Sequence, residues 1–300
     1  MKPSDYELKS LREIHEWKKP KTGWVSAFFH AVDWPFAKAG EALINTPLLG
    51  ELVGQTLSKV THLLNHVAQW SVRPESIFAT LRKDGHTHIQ TLQDIQSLDL
   101  EQIDKSIAWI NVKYESLAAA EGTGAGFAGL PGIPVDIVAL MSLNLRAVAE
   151  YATYYGFDIK HPEERLFAIS ILALASSPTD AAKVAAMAQL VKIAQDTAQK
   201  KVWSEMQKRG LMHVIETLAT TLGVRLTRAK LAQILPVAGA VVGGGFNVYF
   251  TNKITHAAYF LYRERFLAAK YGADVIAASV NPAEDLNPHY LEVNESLGRT

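Results

Sequence analysis

From Tyr6 to Tyr271 the apolar residues recur three and four positions apart, and no segment alternates as a half-buried strand would. That regularity predicts an all-α fold, a compact multi-helix domain. Residues 6–17 read as a polar helix stopped by Lys19-Pro20, and residues 23–39 place Trp24, Val25, Phe28, Phe29, Val32 and Phe36 on one helix face. Residues 51–71 form a longer helix ending before Pro74, and Asp84-Gly85 marks a turn. Residues 99–120 read as one helix with Leu100, Ile103, Ile107, Ile110 and Val112 on its buried side.

The stretch GTGAGFAGLPGIPVD, Gly122 to Asp136, is apolar yet rich in glycine and proline. A long helix is expected to follow over residues 134–155. Pro134 suits its first position, where a missing N–H costs nothing. Asp136 then falls in the first turn, against the positive helix end, and Gly156 fits the left-handed cap. Pro162 starts a helix running to Ala175. Ser177-Pro178-Thr179-Asp180 is an N-terminal signal for a helix reaching Lys208, closed by Gly210. A helix over residues 211–221 capped by Gly223, a short one from Thr227 to Pro236, and a last long helix over residues 241–271 complete the chain. Two long central helices are thus entered through related segments, Leu130-Pro131-Gly132-Ile133-Pro134 and Leu235-Pro236-Val237-Ala238-Gly239. The expected organisation is an N-terminal helical cap over residues 1–72, a helical core over 73–278 and a polar tail over 279–300.

Composition removes several classes of function. The 300 residues include no cysteine, which excludes disulfides, thiolate catalysis and cysteine-ligated metals. Thirty basic and thirty acidic residues leave no global field to attract nucleic acid, and none is expected as a partner. The polar start has no apolar signal-peptide core, so a cytoplasmic location is expected. The match Gly124-x-Gly126-x-x-Gly129 lacks the preceding strand and uninterrupted following helix that a dinucleotide loop needs. The glycines Gly122, Gly124, Gly126, Gly129, Gly132, Gly239, Gly243 and Gly244 are better suited to close helix packing. Residues 231–251 are uncharged over roughly the length of a bilayer crossing, so a membrane-inserting hairpin stands as the alternative to a close-packed core.

Three further groups are candidate sites. Trp24, Phe28, Phe29, Trp34 and Phe36, flanked by lysines, could lie at a membrane interface or meet a partner protein. Asp136, Ser142, Arg146, Glu150 and Tyr154 could line a ligand pocket; Arg146 and Glu150 are otherwise a helix-face ion pair. His62 and His66, spaced i and i+4, could share a metal in a metal-dependent hydrolase. No cofactor is expected, and no GxSxG or Ser-x-x-Lys signature is present.

The run GTGAGFAGLPGIPVDIVALMSLNLRAVAEYATYYGFD, followed by HPEERLFAISIL, resembles the EcsC family. The later LGVRLTRAKLAQILPVAGAVVGGGFNVYFTNKITHAAYFLYRERF and the opening YELKSLREIHEW are similar to that family as well. The resemblance implies no established biochemical role and no catalytic residues. The family is named for a bacterial operon that also encodes an ABC transporter's ATPase and membrane subunits. The resulting expectation is a non-enzymatic cytoplasmic protein at the inner face of the membrane, in contact with lipid or a membrane protein complex. The alternatives are the hydrolase and a soluble adaptor.

Overall fold

A computed structural model describes residues 2–19, 47–124, 129–177, 180–199, 205–234 and 243–276. Among these the regular elements are all helical, as expected. They are α1 (Asp5–Lys18), α2 (Pro47–Asn65), α3 (Pro74–Lys83), α4 (Leu92–Ile95), α5 (Leu100–Ile107), α6 (Ile110–Gly124), α7 (Gly129–Tyr154), α8 (Pro162–Ala175), α9 (Asp180–Ala198), α10 (Glu205–Ile234) and α11 (Gly243–Tyr271). The aromatic stripe Trp24, Phe28, Phe29, Trp34 and Phe36, with Gly126 and Gly239, lies outside the described residues.

Local chemistry explains several boundaries. Ser4 Oγ accepts from the Glu7 N–H at 3.2 Å, and Glu7 accepts from the Ser4 N–H at 2.8 Å, so α1 opens on a reciprocal capping box. Gly156 takes φ +82° after α7, the left-handed conformation predicted for it, and Gly85 takes φ +103° in the predicted turn after α3. Pro162 occupies the first turn of α8, with Glu163 and Glu164 beside it.

The long helices α7 and α11 pack on each other, and α6 lies along α11. Helices α2 and α10 pair and both contact α7, while α8 touches α7, α9, α10 and α11. Residues 166–172 of α8 are buried without interruption, so this helix has almost no solvent face. One apolar core extends from Ile14 in α1 to Ile276 beyond α11. Charges pin α1 onto it. Lys18 pairs with Glu264 at 2.6 Å, and Arg263 reaches Asp104 at 2.9 Å and Ser10 at 2.7 Å. Arg265 forms a two-toothed pair with Glu164, its guanidinium 4.2 Å and 4.4 Å from the Phe157 and Phe167 ring centres.

Three expectations are corrected. The helix read over residues 99–120 is two helices, broken at Ala108 and Trp109. The Trp109 indole N–H donates to the Ser106 carbonyl at 2.8 Å, at the end of α5. The buried series Leu100, Ile103, Ile107, Ile110, Tyr114 keeps helical spacing across this break, so periodicity could not reveal it. Val112 is 63% exposed rather than buried.

Pro134 is not the first residue of α7 but lies inside it, because the helix begins at Gly129. Pro131 takes the first turn, where N–H groups have no intrahelical acceptor. Asp136 is therefore beyond the first turn and depends on a side-chain partner. Gly210 and Gly223 do not end helices; both lie within the continuous α10. Each glycine costs about 1 kcal/mol in a helix interior. Burial of Leu211, Val214, Ile215, Leu218, Leu222 and Leu226 outweighs that cost, at roughly 1.5–3 kcal/mol per large side chain. Of the uncharged run 231–251, residues 231–234 belong to α10 and residues 243–251 to α11, and the residues between them lie outside the described ones.

Candidate functional site

The polar line on α7 is divided among separate environments rather than gathered in one pocket. Asp136 pairs with Lys230 of α10 at 2.7 Å. Ser142 is half-buried and Arg146 is exposed. Glu150 is buried and turns to α6, where it accepts from Lys113 at 2.7 and 3.0 Å and from the Tyr114 hydroxyl at 2.6 Å. The expected partnership with Arg146 gives way to these contacts because Glu150 lies on the packed face of α7. Tyr154 is buried, and burial pushes its hydroxyl up to about 12, partly offset by a hydrogen bond with Thr80.

Asp136 belongs to a polar cluster drawn from four helices. The Lys230 ammonium, 2% exposed, also donates to Asn247 of α11 at 2.9 Å. Asn247 in turn donates to Glu121 of α6 at 3.4 Å. The second Glu121 oxygen is buried and accepts no hydrogen bond. Burial, and the neighbouring Asp136 carboxylate, raise Glu121 to about 7, against the pull of Lys230. At neutral pH this carboxyl therefore divides between its protonated and ionised forms. Reading the sequence missed Glu121, Lys230 and Asn247. Their signal is a single charged residue in each of SLAAAEGTG and AKLAQILP and a single amide in GGGFNVYF.

The opposite aspect of the same hairpin has a different character. The exposed positions of α6, with Trp109 just before it, are Trp109, Val112, Ser116, Leu117 and Ala120. Those of α7 are Pro131, Val135, Ala139 and Arg146. Only Arg146 among them is charged, and none is acidic. Trp109, Val112, Leu117 and Val135 are 43%, 63%, 46% and 60% exposed. The Lys113 ammonium, bound to Glu150, rests 4.8 Å from the Trp109 ring centre. Over Leu130–Tyr154, α7 is long and apolar enough to cross a membrane, with mean hydropathy 1.4, but 56% of its most apolar window is buried inside the protein. Helix α7 thus serves as a core helix whose outer strip carries Arg146 as its one charge among the described residues.

The remaining candidates resolve simply. His62 and His66 stack with ring centres 3.9 Å apart on an exposed surface. His66 Nδ1 donates to the His62 carbonyl at 2.7 Å, and His62 faces Gln69 at 3.3 Å. Among the described residues no group of three or more His, Asp or Glu could hold a metal. Gly122 and Gly124 lie in α6, Gly129 and Gly132 in α7, and Gly243 and Gly244 open α11. A close backbone approach occurs at another glycine: a Cβ on Gly223 would stand 3.7 Å from Leu57 Cα of α2.

Comparison with known proteins places these features in a family. A model of the EcsC protein family matches residues 8–267. The Uncharacterized protein YdbA of Bacillus subtilis (strain 168) is 27% identical over 258 residues, covering 85% of this chain and 90% of that relative. Protein EcsC of the same organism is 28% identical over 193 residues, covering 63% of this chain and 74% of its own length. No solved structure matches.

Proposed function

Since the chain belongs to the EcsC protein family, whose model spans most of its helices, we propose that it is a non-enzymatic protein that lies against a membrane surface on the cytoplasmic side. The observation that carries this reading is the largely apolar outer face of α6 and α7, on which no described acid is exposed. A water-facing helix pair ordinarily alternates charges of both signs. Here four large apolar side chains are exposed along these two helices, with Arg146 and Lys113 as the cations and no acid among their described exposed positions. Tryptophan, valine and leucine suit the boundary between head groups and acyl chains, and the cations suit anionic head groups. The aromatic sequence around Trp24 and Phe36 supplies a second segment of the same chemistry.

Flotation with vesicles of phosphatidylglycerol and phosphatidylcholine tests this reading. Wild-type protein should rise with the vesicles, less so at high salt. The double variant Val112→Glu with Val135→Glu, which alters only exposed positions, should lose about tenfold or more in apparent affinity. Wild-type protein that stays in the dense fraction, or a double variant that floats equally well, would overturn the proposal.

A further inference from the structure

A cavity of about 410 Å³ opens where the break between α5 and α6 meets α1, α7 and α11. Rings make much of its wall: Tyr6 of α1, Tyr151 of α7, and Tyr259 and Phe260 of α11. The buried Asp104 also lines it, and the exposed Lys105, Ala108 and His256 stand at its mouth. The rings are steeply inclined to one another. Tyr259 meets Tyr151 at 63° and Phe260 at 65°, with ring centres 6.3 and 5.2 Å apart. Walls turned in this way make an aromatic box, an arrangement that takes up organic cations.

The polar groups decide what kind of cation fits. Asp104 is already engaged: it accepts from Tyr6 at 2.8 Å, Tyr155 at 2.7 Å and Arg263 at 2.9 Å. Asn111 is likewise taken, donating to Glu115 and accepting from Thr255. Tyr151 differs. It is 3% exposed and lines the cavity, yet its hydroxyl has no hydrogen-bond partner among the described residues. A primary ammonium, with three N–H groups to satisfy, would find few open acceptors here. A quaternary ammonium has no N–H to satisfy and binds through its charge and its methyl groups.

The surrounding charges leave an excess of acid. Lys105 is paired with Glu101 at 2.8 Å, and Lys113 with Glu150 at 2.7 Å. Arg263, resting 4.5 Å from the Tyr259 ring centre, is shared by Asp104 and Glu13, and Glu13 also meets the exposed Lys9 at 3.9 Å. Glu115, one turn beyond Asn111, accepts from the Asn111 and Asn252 amides and has no Lys or Arg partner among the described residues. Burial first, then Tyr259 and the Glu150, Glu115 and Asp104 carboxylates, hold the Tyr151 hydroxyl above the usual tyrosine range. Acids thus dominate the field at this hydroxyl.

We infer that this cavity binds a quaternary ammonium group, with its methyl groups against Tyr6, Tyr151, Tyr259 and Phe260 and with Glu115 as the compensating charge. The volume lies within the range of about 300 to 1,000 Å³ for small-ligand sites and admits the cation with a short substituent leading to the mouth. The inference does not rest on the membrane reading, since such a group occurs both in soluble compounds and in lipid head groups.

Ligand-observed NMR titration of the full chain tests it with choline, with dihexanoyl phosphatidylcholine below its micelle concentration, and with neohexyl alcohol, the uncharged carbon isostere of choline. Saturable binding of at least one quaternary probe is expected, about tenfold tighter than that of the isostere. Affinity should fall about tenfold in Tyr259→Leu and about threefold in Glu115→Gln, and persist in Tyr259→Phe, which keeps the ring. Glu115→Gln still accepts from both amides, so it remains informative if the leucine variant does not fold. The Val112→Glu with Val135→Glu variant should bind as wild type does; binding lost there would place the probe on the α6–α7 face and overturn the inference. Comparable binding of the two quaternary probes supports a soluble source, and clear preference for the phosphatidylcholine supports a lipid one. Equal binding of the isostere would reveal an apolar cavity only and sink the inference. So would the absence of saturable binding by both quaternary probes, or affinity unchanged in both Tyr259→Leu and Glu115→Gln.

Discussion

Replacing Glu121 with glutamine should stabilise this protein, and only when the pH is high enough to ionise the wild-type carboxyl. Glu121 sits beside Asp136, its one hydrogen bond is a long one from Asn247, and its other oxygen is buried without a partner. The folded protein raises its pKa from 4.5 to about 7. The folded state therefore binds a proton more tightly than the unfolded chain. Stability from this group is fully present below pH 4.5, declines as the pH rises toward 7, and is level above that. A shift of that size corresponds to roughly 3 kcal/mol at about 1.4 kcal/mol per pH unit. The side chain retains some solvent contact, and screening reduces the effect to about 1–2 kcal/mol. Glutamine keeps the shape, can accept from Asn247, and carries no charge to repel Asp136. Urea denaturation of both proteins at pH values from 4.5 to 8.5 reads the difference directly. Glu121→Gln should match wild type at the acid end and exceed it by about 1–2 kcal/mol at pH 8. A difference that does not change with pH, or a variant less stable at pH 8 than at pH 5, would refute the account of this cluster.

Two further substitutions test the architecture. Gly210→Ala and Gly223→Ala should each stabilise by about 0.5–1 kcal/mol, since both positions are helix interior. A Cβ at 210 meets nothing within 4 Å, and one at 223 meets Leu57 Cδ1 at an ordinary 3.6 Å; a lowered melting temperature in both would restore helix ends there. Arg263→Met leaves Asp104 buried with only the hydroxyls of Tyr6 and Tyr155, at 2.8 and 2.7 Å, and should cost about 3–5 kcal/mol. Adding Asp104→Leu should recover most of that loss in chemical denaturation, and failure to recover any would place the cost in packing rather than in the stranded charge.

Much of the fold was legible because helices announce themselves locally. The 3.6-residue period, Pro162 in the first turn of α8, and the turns at Gly85 and Gly156 depend on neighbours within a few residues, and each stands where expected. The errors share one cause. Gly223 looks like a cap when only its own segment is considered, yet α2 packs against it and the helix continues. The interruption at Trp109 leaves the apolar spacing unchanged, so periodicity passes over it. In the α7 polar line, Asp136 and Glu150 find their partners on other helices. Lys230 is far along the chain from Asp136, and Lys113 and Tyr114 take the place assigned to Arg146.

By itself the sequence determined the helical class, the EcsC kinship and the absence of any cysteine chemistry. These rest on composition, on short-range spacing and on the order of residues within two glycine-rich blocks. Only the tertiary structure decided which charges become partners and which are buried. A carboxylate or ammonium has no local signature of its partner, because Coulomb attraction and desolvation depend on distance through space and on burial. Glu121 rises toward neutrality and Glu264 meets Lys18 for that same reason: packing of distant helices sets which charges become neighbours and how much water remains between them.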